Sequence, residues 1–108
     1  MNKVIITAAI SGAETTKEQQ PNLPVTPEEM ALAAKECREA GVSIIHLHAR
    51  NDDGTPTADV GRFRECLAAI REATDVVVEF TTGGAIGMSD DERLEPVEVG
   101  TEMASLDC

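Results

Sequence analysis

Short runs rich in Val and Ile alternate with amphipathic helical patterns along this chain, at a spacing of about thirty residues, the period of a βαβ unit. Residues 4–9, 43–48 and 76–81 read as strands and residues 103–107 as a fourth. Strands that repeat with a helix between them are parallel, because a parallel pair needs a crossover longer than any hairpin. The order of elements therefore predicts an α/β fold, with about four parallel strands and three helices and with functional groups at the carboxyl ends of the strands.

The helices carry their own punctuation. Thr26 is placed to cap a helix, with Pro27 at its first position and Glu29 completing a capping box. Met30, Ala33, Ala34 and Cys37 then form an apolar stripe, and Gly41 supplies a left-handed exit. Residues 51–54 read as a turn before a second helix whose apolar face is Val60, Phe63, Cys66, Leu67 and Ile70. Ser89 and Glu92 make another capping box for a short acidic helix that Pro96 is expected to close. The polar, proline-marked loop over residues 13–25 exceeds the two to about six residues usual for a βα connection, so a role at a site is expected of it.

Size and charge narrow the function classes. A chain of 108 residues is the size of one domain. Its net charge of -11 repels phosphate backbones, and with only Phe63 and Phe80 as aromatics it lacks platforms for stacking bases, so nucleic acid is excluded as a partner. No apolar run is long enough to span a membrane, and the run after Lys3 is interrupted by Thr7 and followed by Glu14 and Lys17, unlike a secretory signal. Cys37, Cys66 and Cys108 are odd in number and far apart, which fits neither a disulfide framework nor a metal knuckle and points to a reducing cytoplasm. Cys37 and Cys66 fall on helix faces as small core residues.

Side chains two apart on a strand share a face, so His46 and His48 point the same way at the end of the second strand. Two neutral imidazoles on one rigid element are half of a zinc site; the alternative is a hydrogen-bonded pair lining a polar barrel mouth. Glu79 and Thr81 share a face on the third strand, where a buried Glu either joins a polar network or orients a ligand. Thr81-Thr82-Gly83-Gly84 offers hydroxyls and backbone N–H groups suited to a carboxylate or an oxyanion, and lacks the Lys of a Walker loop. Ser105 and Asp107 share a face on the last strand. Glu14 is either a solvated loop residue or a counter-charge for an amino group, and Arg50 either binds an acid or pairs at the surface with Asp52 or Asp53. The acidic runs at residues 90–92 and 98–102 read as solvated faces.

These segments resemble the β-keto acid cleavage enzyme family. The resemblance rests on residues 7–16, with Ser11-Gly12-Ala13-Glu14-Thr15-Thr16, on Gln20-Pro21-Asn22-Leu23-Pro24, on Ile45-His46-Leu47-His48-Ala49-Arg50, on Thr81-Thr82-Gly83-Gly84 and on Glu102-Met103-Ala104-Ser105-Leu106-Asp107. It implies a TIM barrel with Zn²⁺ on His46 and His48, a substrate amino group read by Glu14, and substrate oxygens held around Thr81, Gly84 and Ser105. Asp107 stands where the family usually carries Asn. The implied reaction converts 5-amino-3-oxohexanoate and acetyl-CoA into 3-aminobutanoyl-CoA and acetoacetate, as in lysine fermentation.

A complete barrel takes about 250 residues, so residues 1–108 are expected to be the amino-terminal portion of a single barrel domain. The family's third zinc ligand, a glutamate, and its acid-base Asp with an Arg partner are expected beyond Cys108, leaving this stretch inactive alone. Open sheet edges would favour a homo-oligomer. Two other readings remain at this point. A His-x-His pair on a barrel strand also resembles the amidohydrolase superfamily, and a non-catalytic half-barrel that survives by association has the same pattern.

Overall fold

The computed structural model describes residues 2–107; Met1 and Cys108, one of the three cysteines, lie outside the described residues. The chain runs β1 (Thr7–Ala9), α1 (Pro27–Glu39), β2 (Ile44–Leu47), α2 (Val60–Ala73), β3 (Val77–Phe80), α3 (Asp90–Leu94), a 3₁₀ turn (Glu95–Val99) and β4 (Met103–Ala104). All strand pairs are parallel and the sheet order is β1-β2-β3-β4. Sequential order without reversal is that of a barrel arc and not of a doubly wound sheet, whose order reverses at a switch point. None of the described helices is long and apolar enough to cross a membrane.

The expected helix signals act as read. Thr26 accepts from the Glu29 N–H while the Glu29 carboxylate takes the Thr26 N–H, with Pro27 opening α1. Gly41, at φ 108, turns the chain out of α1 in a backbone conformation that a Cβ would strain. Ser89 and Glu92 repeat the capping box on α3. Pro96 does not stop the helical path there; α3 ends at Leu94 and the chain tightens into the 3₁₀ turn, with Pro96 buried.

The strands are shorter than their apolar runs. Residues 4–6 precede β1, and Val4 and Ile5 stay 78% and 73% exposed. A ladder needs a neighbour: the Ile6 carbonyl still takes the Ser43 and Ile44 N–H groups, but upstream of Ser43 the neighbouring chain is leaving α1, with the Val42 N–H bonded to the Cys37 carbonyl. Similarly β4 covers only two residues; the Ser105 N–H still reaches the Phe80 carbonyl of β3, while its hydroxyl and carbonyl bind Thr82 in the loop after β3.

One face of the sheet is sealed by helices. Ile45, Leu47, Val78 and Phe80 are fully buried under Met30, Ala34, Phe63, Cys66 and Ile70. Phe63 meets Phe80 edge to face with centroids 4.9 Å apart, and each such side chain removed from water contributes about 1.5–3 kcal/mol. On α1 the buried set is Met30, Ala31 and Ala34, with Ala33 and Cys37 half-buried at its border. The Cys66 thiol is pushed up to about 11 by burial, so it acts as a small apolar residue. The opposite face carries His46 and Glu79 and forms the concave, polar side.

Candidate functional site

Parallel register puts Ala9, His46, Glu79 and Met103 side by side across the sheet. Neighbouring strands are about 4.8 Å apart, so His46 and Glu79 meet on the concave face. The His46 Nδ1 lies 2.5 Å from the Glu79 carboxylate, and both side chains are about one-fifth exposed. Glu79 is thus a network member whose partner is an imidazole. With Nδ1–H given to the carboxylate, the Nε2 lone pair of His46 is left free, the arrangement that orients a metal-binding histidine.

His48 stands beside it, ring centroids 5.3 Å apart. Burial, then any proton carried by His46 and the charge of Arg50, push His48 down to about 4, while Asp107 and Glu14 oppose the shift. Its ring is therefore neutral at physiological pH, the form that ligates metal. Among the described residues no three His, Cys, Asp or Glu side chains converge as a metal cage. The two imidazoles fit the role of partial ligand set, and further ligands have to come from elsewhere.

The loops beyond the strand ends complete the mouth. His48, Thr81, Gly84, Met88 and Arg93 line a cavity of about 10 Å³, room for about one water. Thr81 and Thr82 are buried. The Gly83 N–H donates to the Thr81 hydroxyl at 3.0 Å, and the Thr82 N–H donates to the Ser105 hydroxyl at 2.9 Å. Of the backbone N–H groups expected to serve an anion over Thr81–Gly84, only that of Gly84 lacks an acceptor among the described residues. Each hydroxyl accepts from a backbone donor and keeps its own proton to give, with Thr82 Oγ1 at 3.4 Å one possible acceptor for Ser105. Asp107 packs against Gly83, where a Cβ would collide with its carboxylate. Gly84, at φ 59, is pressed by Met88 and Arg93.

Glu14 is exposed and accepts the Ile86 N–H at 3.3 Å, so it reaches from the first loop to the loop after β3. It also lines a cavity of about 250 Å³ with Thr15, Thr16, Lys17 and Arg50. The structure thereby brings His46, His48, Glu14, Thr81, Gly84, Ser105 and Asp107 to one end of the sheet, by direct contact or through the charges felt at His48.

Arg50 corrects the expectation of a surface pair. It is 2% exposed and touches neither Asp52 nor Asp53; Arg62 takes Asp52, at 2.7 Å. Its guanidinium donates to the carbonyls of Ser11, Gly12, Thr15 and Gly54, and burial pulls its pKa below the ordinary value. The signal for this was present: residues 46, 48 and 50 continue one alternation, which turns Arg50 inward. Arg93, paired with Asp90 and with a buried Nε that has no partner, was not legible, because its place against Gly84 depends on how α3 docks.

A family model described as beta-keto acid cleavage enzyme matches residues 3–108. The chain is 60% identical over 109 residues to a 3-keto-5-aminohexanoate cleavage enzyme of Fusobacterium nucleatum subsp. nucleatum, covering 100% of this chain and 40% of that protein. It is 58% identical over 109 residues to the protein of the same name from Acetoanaerobium sticklandii, with the same coverage. It is 47% identical over 106 residues to a 3,5-dioxohexanoate:acetyl-CoA acetone transferase of Paraburkholderia graminis, covering 96% of this chain and 34% of the relative. The chain thus spans two-fifths or less of the length of these relatives.

Proposed function

The chain belongs to the beta-keto acid cleavage enzyme family, and from that premise we propose that the whole protein is a zinc-dependent acyltransferase acting on a β-keto acid and acetyl-CoA. The reaction is 5-amino-3-oxohexanoate plus acetyl-CoA giving 3-aminobutanoyl-CoA plus acetoacetate. In sum, the acetyl group leaves sulfur for the two-carbon carboxymethyl end of the keto acid, and the amino-substituted acyl group takes its place on sulfur. The observation that carries this reading is 60% identity along the whole chain to a protein named for that cleavage.

His46 and His48 would hold zinc, His46 through Nε2, which Glu79 leaves free. Zinc there would supply Lewis-acid polarisation of a substrate carbonyl. Thr81 and Ser105, which accept the Gly83 and Thr82 N–H groups, still have hydroxyl protons to donate to substrate oxygens. Gly84 adds a backbone N–H without a side chain to obstruct approach. Asp107 can only accept, so it suits a donor on the substrate and repels a carboxylate. Glu14, exposed at the mouth, pairs with the ammonium of the amino acid substrate. The His-x-His pair ends β2 and not β1, which together with the family match sets aside the amidohydrolase reading.

The test uses the whole protein with bound zinc verified, supplied with 5-amino-3-oxohexanoate and acetyl-CoA and assayed for acetoacetate. Release of acetoacetate supports the proposal, and none overturns it. Glu14→Gln should keep zinc and lose more rate on the amino substrate than on 3-oxohexanoate, because only the former carries the charge that Glu14 pairs. Equal losses on both would make Glu14 a scaffold residue.

A further inference from the structure

The guanidinium of Arg50 binds backbone on both sides of Glu14. It donates from Nη2 to the carbonyls of Ser11 at 3.1 Å and Gly12 at 2.9 Å, and from Nη1 to that of Thr15 at 2.7 Å. A fourth bond runs from Nη1 to the Gly54 carbonyl at 2.9 Å, which ties the loop after β2 to the same point. The Arg50 carbonyl in turn accepts from Arg62 Nε at 2.7 Å, and Arg50 bridges to Pro56, so the residue is held from the α2 side as well. Among the described residues no carboxylate bonds this buried charge and its Nε has no partner; carbonyl dipoles gathered out of two loops compensate it, with the Glu14 charge also favouring it from a distance.

We infer that Arg50 is the positioning residue of Glu14, fixing the segment from Ser11 to Thr15 so that its carboxylate stands at the mouth against the Ile86 N–H of the loop after β3. This rests on the reading of Glu14 as the residue that pairs with the substrate ammonium. The far end of the same loop is anchored separately. Leu23, Pro24 and Val25 are buried, and the Glu29 carboxylate takes the Val25 N–H at 2.7 Å and the Lys17 ammonium at 2.7 Å. The long loop is therefore a braced element whose Glu14 end is held by four Arg50 bonds from just past the strand that carries the first histidine, beside the Ser11 hydroxyl on the His48 carbonyl and the Ile86 N–H on Glu14. Lys cannot replace Arg50, since a single ammonium cannot span four carbonyls in a planar fork.

The experiment compares wild type, Arg50→Lys and Gly12→Ala in the whole zinc-loaded protein. Gly12 sits at φ 59 with open space where a Cβ would go, so its alanine variant disturbs the clamp from the loop side without touching Arg50. Two readouts are taken: amide hydrogen exchange over residues 11–16, and the ratio of kcat/KM on 5-amino-3-oxohexanoate to that on 3-oxohexanoate. Both variants should exchange faster at residues 11–16 with α1 and zinc content unchanged, and should lose about tenfold to a hundredfold of the amino preference. Adding Glu14→Gln to Arg50→Lys should cost little more preference, because both remove the same contact.

Unchanged exchange in both variants overturns the inference, as does an equal loss on the two substrates or strict additivity with Glu14→Gln. Should Arg50→Lys fail to fold, the Gly12→Ala results decide alone. A wild-type protein that turns over both substrates alike counts against the ammonium reading of Glu14, and the exchange result still decides whether Arg50 holds the loop.

Discussion

The contact between His46 and Glu79 makes one carboxylate responsible for which imidazole nitrogen is free, and Glu79 acts on any bound zinc only through that ring. In the whole protein, Glu79→Ala is expected to weaken zinc affinity about 10- to 100-fold while His48→Ala strips the metal and abolishes turnover. Metal content after dialysis against a graded chelator series measures both. If His48→Ala left metal content unaltered, the two histidines would be a polar pair and nothing more. Gly83 gives a second expectation at this scale. A Cβ there meets the carboxylate end of exposed Asp107, which can swing aside, so Gly83→Ala should destabilise by no more than about 0.5 kcal/mol. Urea denaturation measures it, and a larger loss that the double variant with Asp107→Ala does not recover would mean that the crowding lies elsewhere.

At the scale of elements, α1 is started by a reciprocal cap whose carboxylate has several partners. The Lys17 contact first, then the Val25 and Thr26 N–H groups, hold the Glu29 carboxyl down at about 2, against an ordinary 4.5. A carboxyl lowered in the folded state adds stability that is full above pH 4.5 and is lost as pH falls toward 2. Glu29 is 41% exposed, so solvent screens much of this and its share stays small. Thr26→Ala should cost about 1 kcal/mol. The stability gap between wild type and Glu29→Gln, followed by thermal unfolding, should close across that acidic window. A gap that widened on acidification would contradict the sign.

On the scale of the molecule, β1 and β4 each pair on one side only among the described residues, and Val4, Ile5 and Leu106 are 73–82% exposed. Expressed as these 108 residues alone, the chain should self-associate through these edges. It should also bind zinc far more weakly than the whole protein, since two imidazoles are the ligands it places. Sedimentation and zinc titration together check this, and a monodisperse monomer with a cooperative transition and tight zinc binding would refute it.

Periodicity and capping chemistry were enough by themselves to establish the α/β alternation, both capping boxes, the buried faces of β2, β3 and α2, and the shared face of His46 and His48. Those features depend on residues within a few positions of one another, where backbone geometry dictates the outcome. Strand lengths were not determined locally: residues 4 and 5 are as apolar as any strand, yet a ladder exists only where a neighbour runs alongside, and at Val42 the neighbour is still turning. The pairing of His46 with Glu79 needed the register between β2 and β3, which no local pattern encodes. The role of Arg50 needed more still. Read locally it sits beside Asp52 and Asp53 and suggests a surface pair. Folding instead turns it into the sheet's concave end, where carbonyls from two loops far apart in sequence converge on it, and Arg62 from α2 takes Asp52.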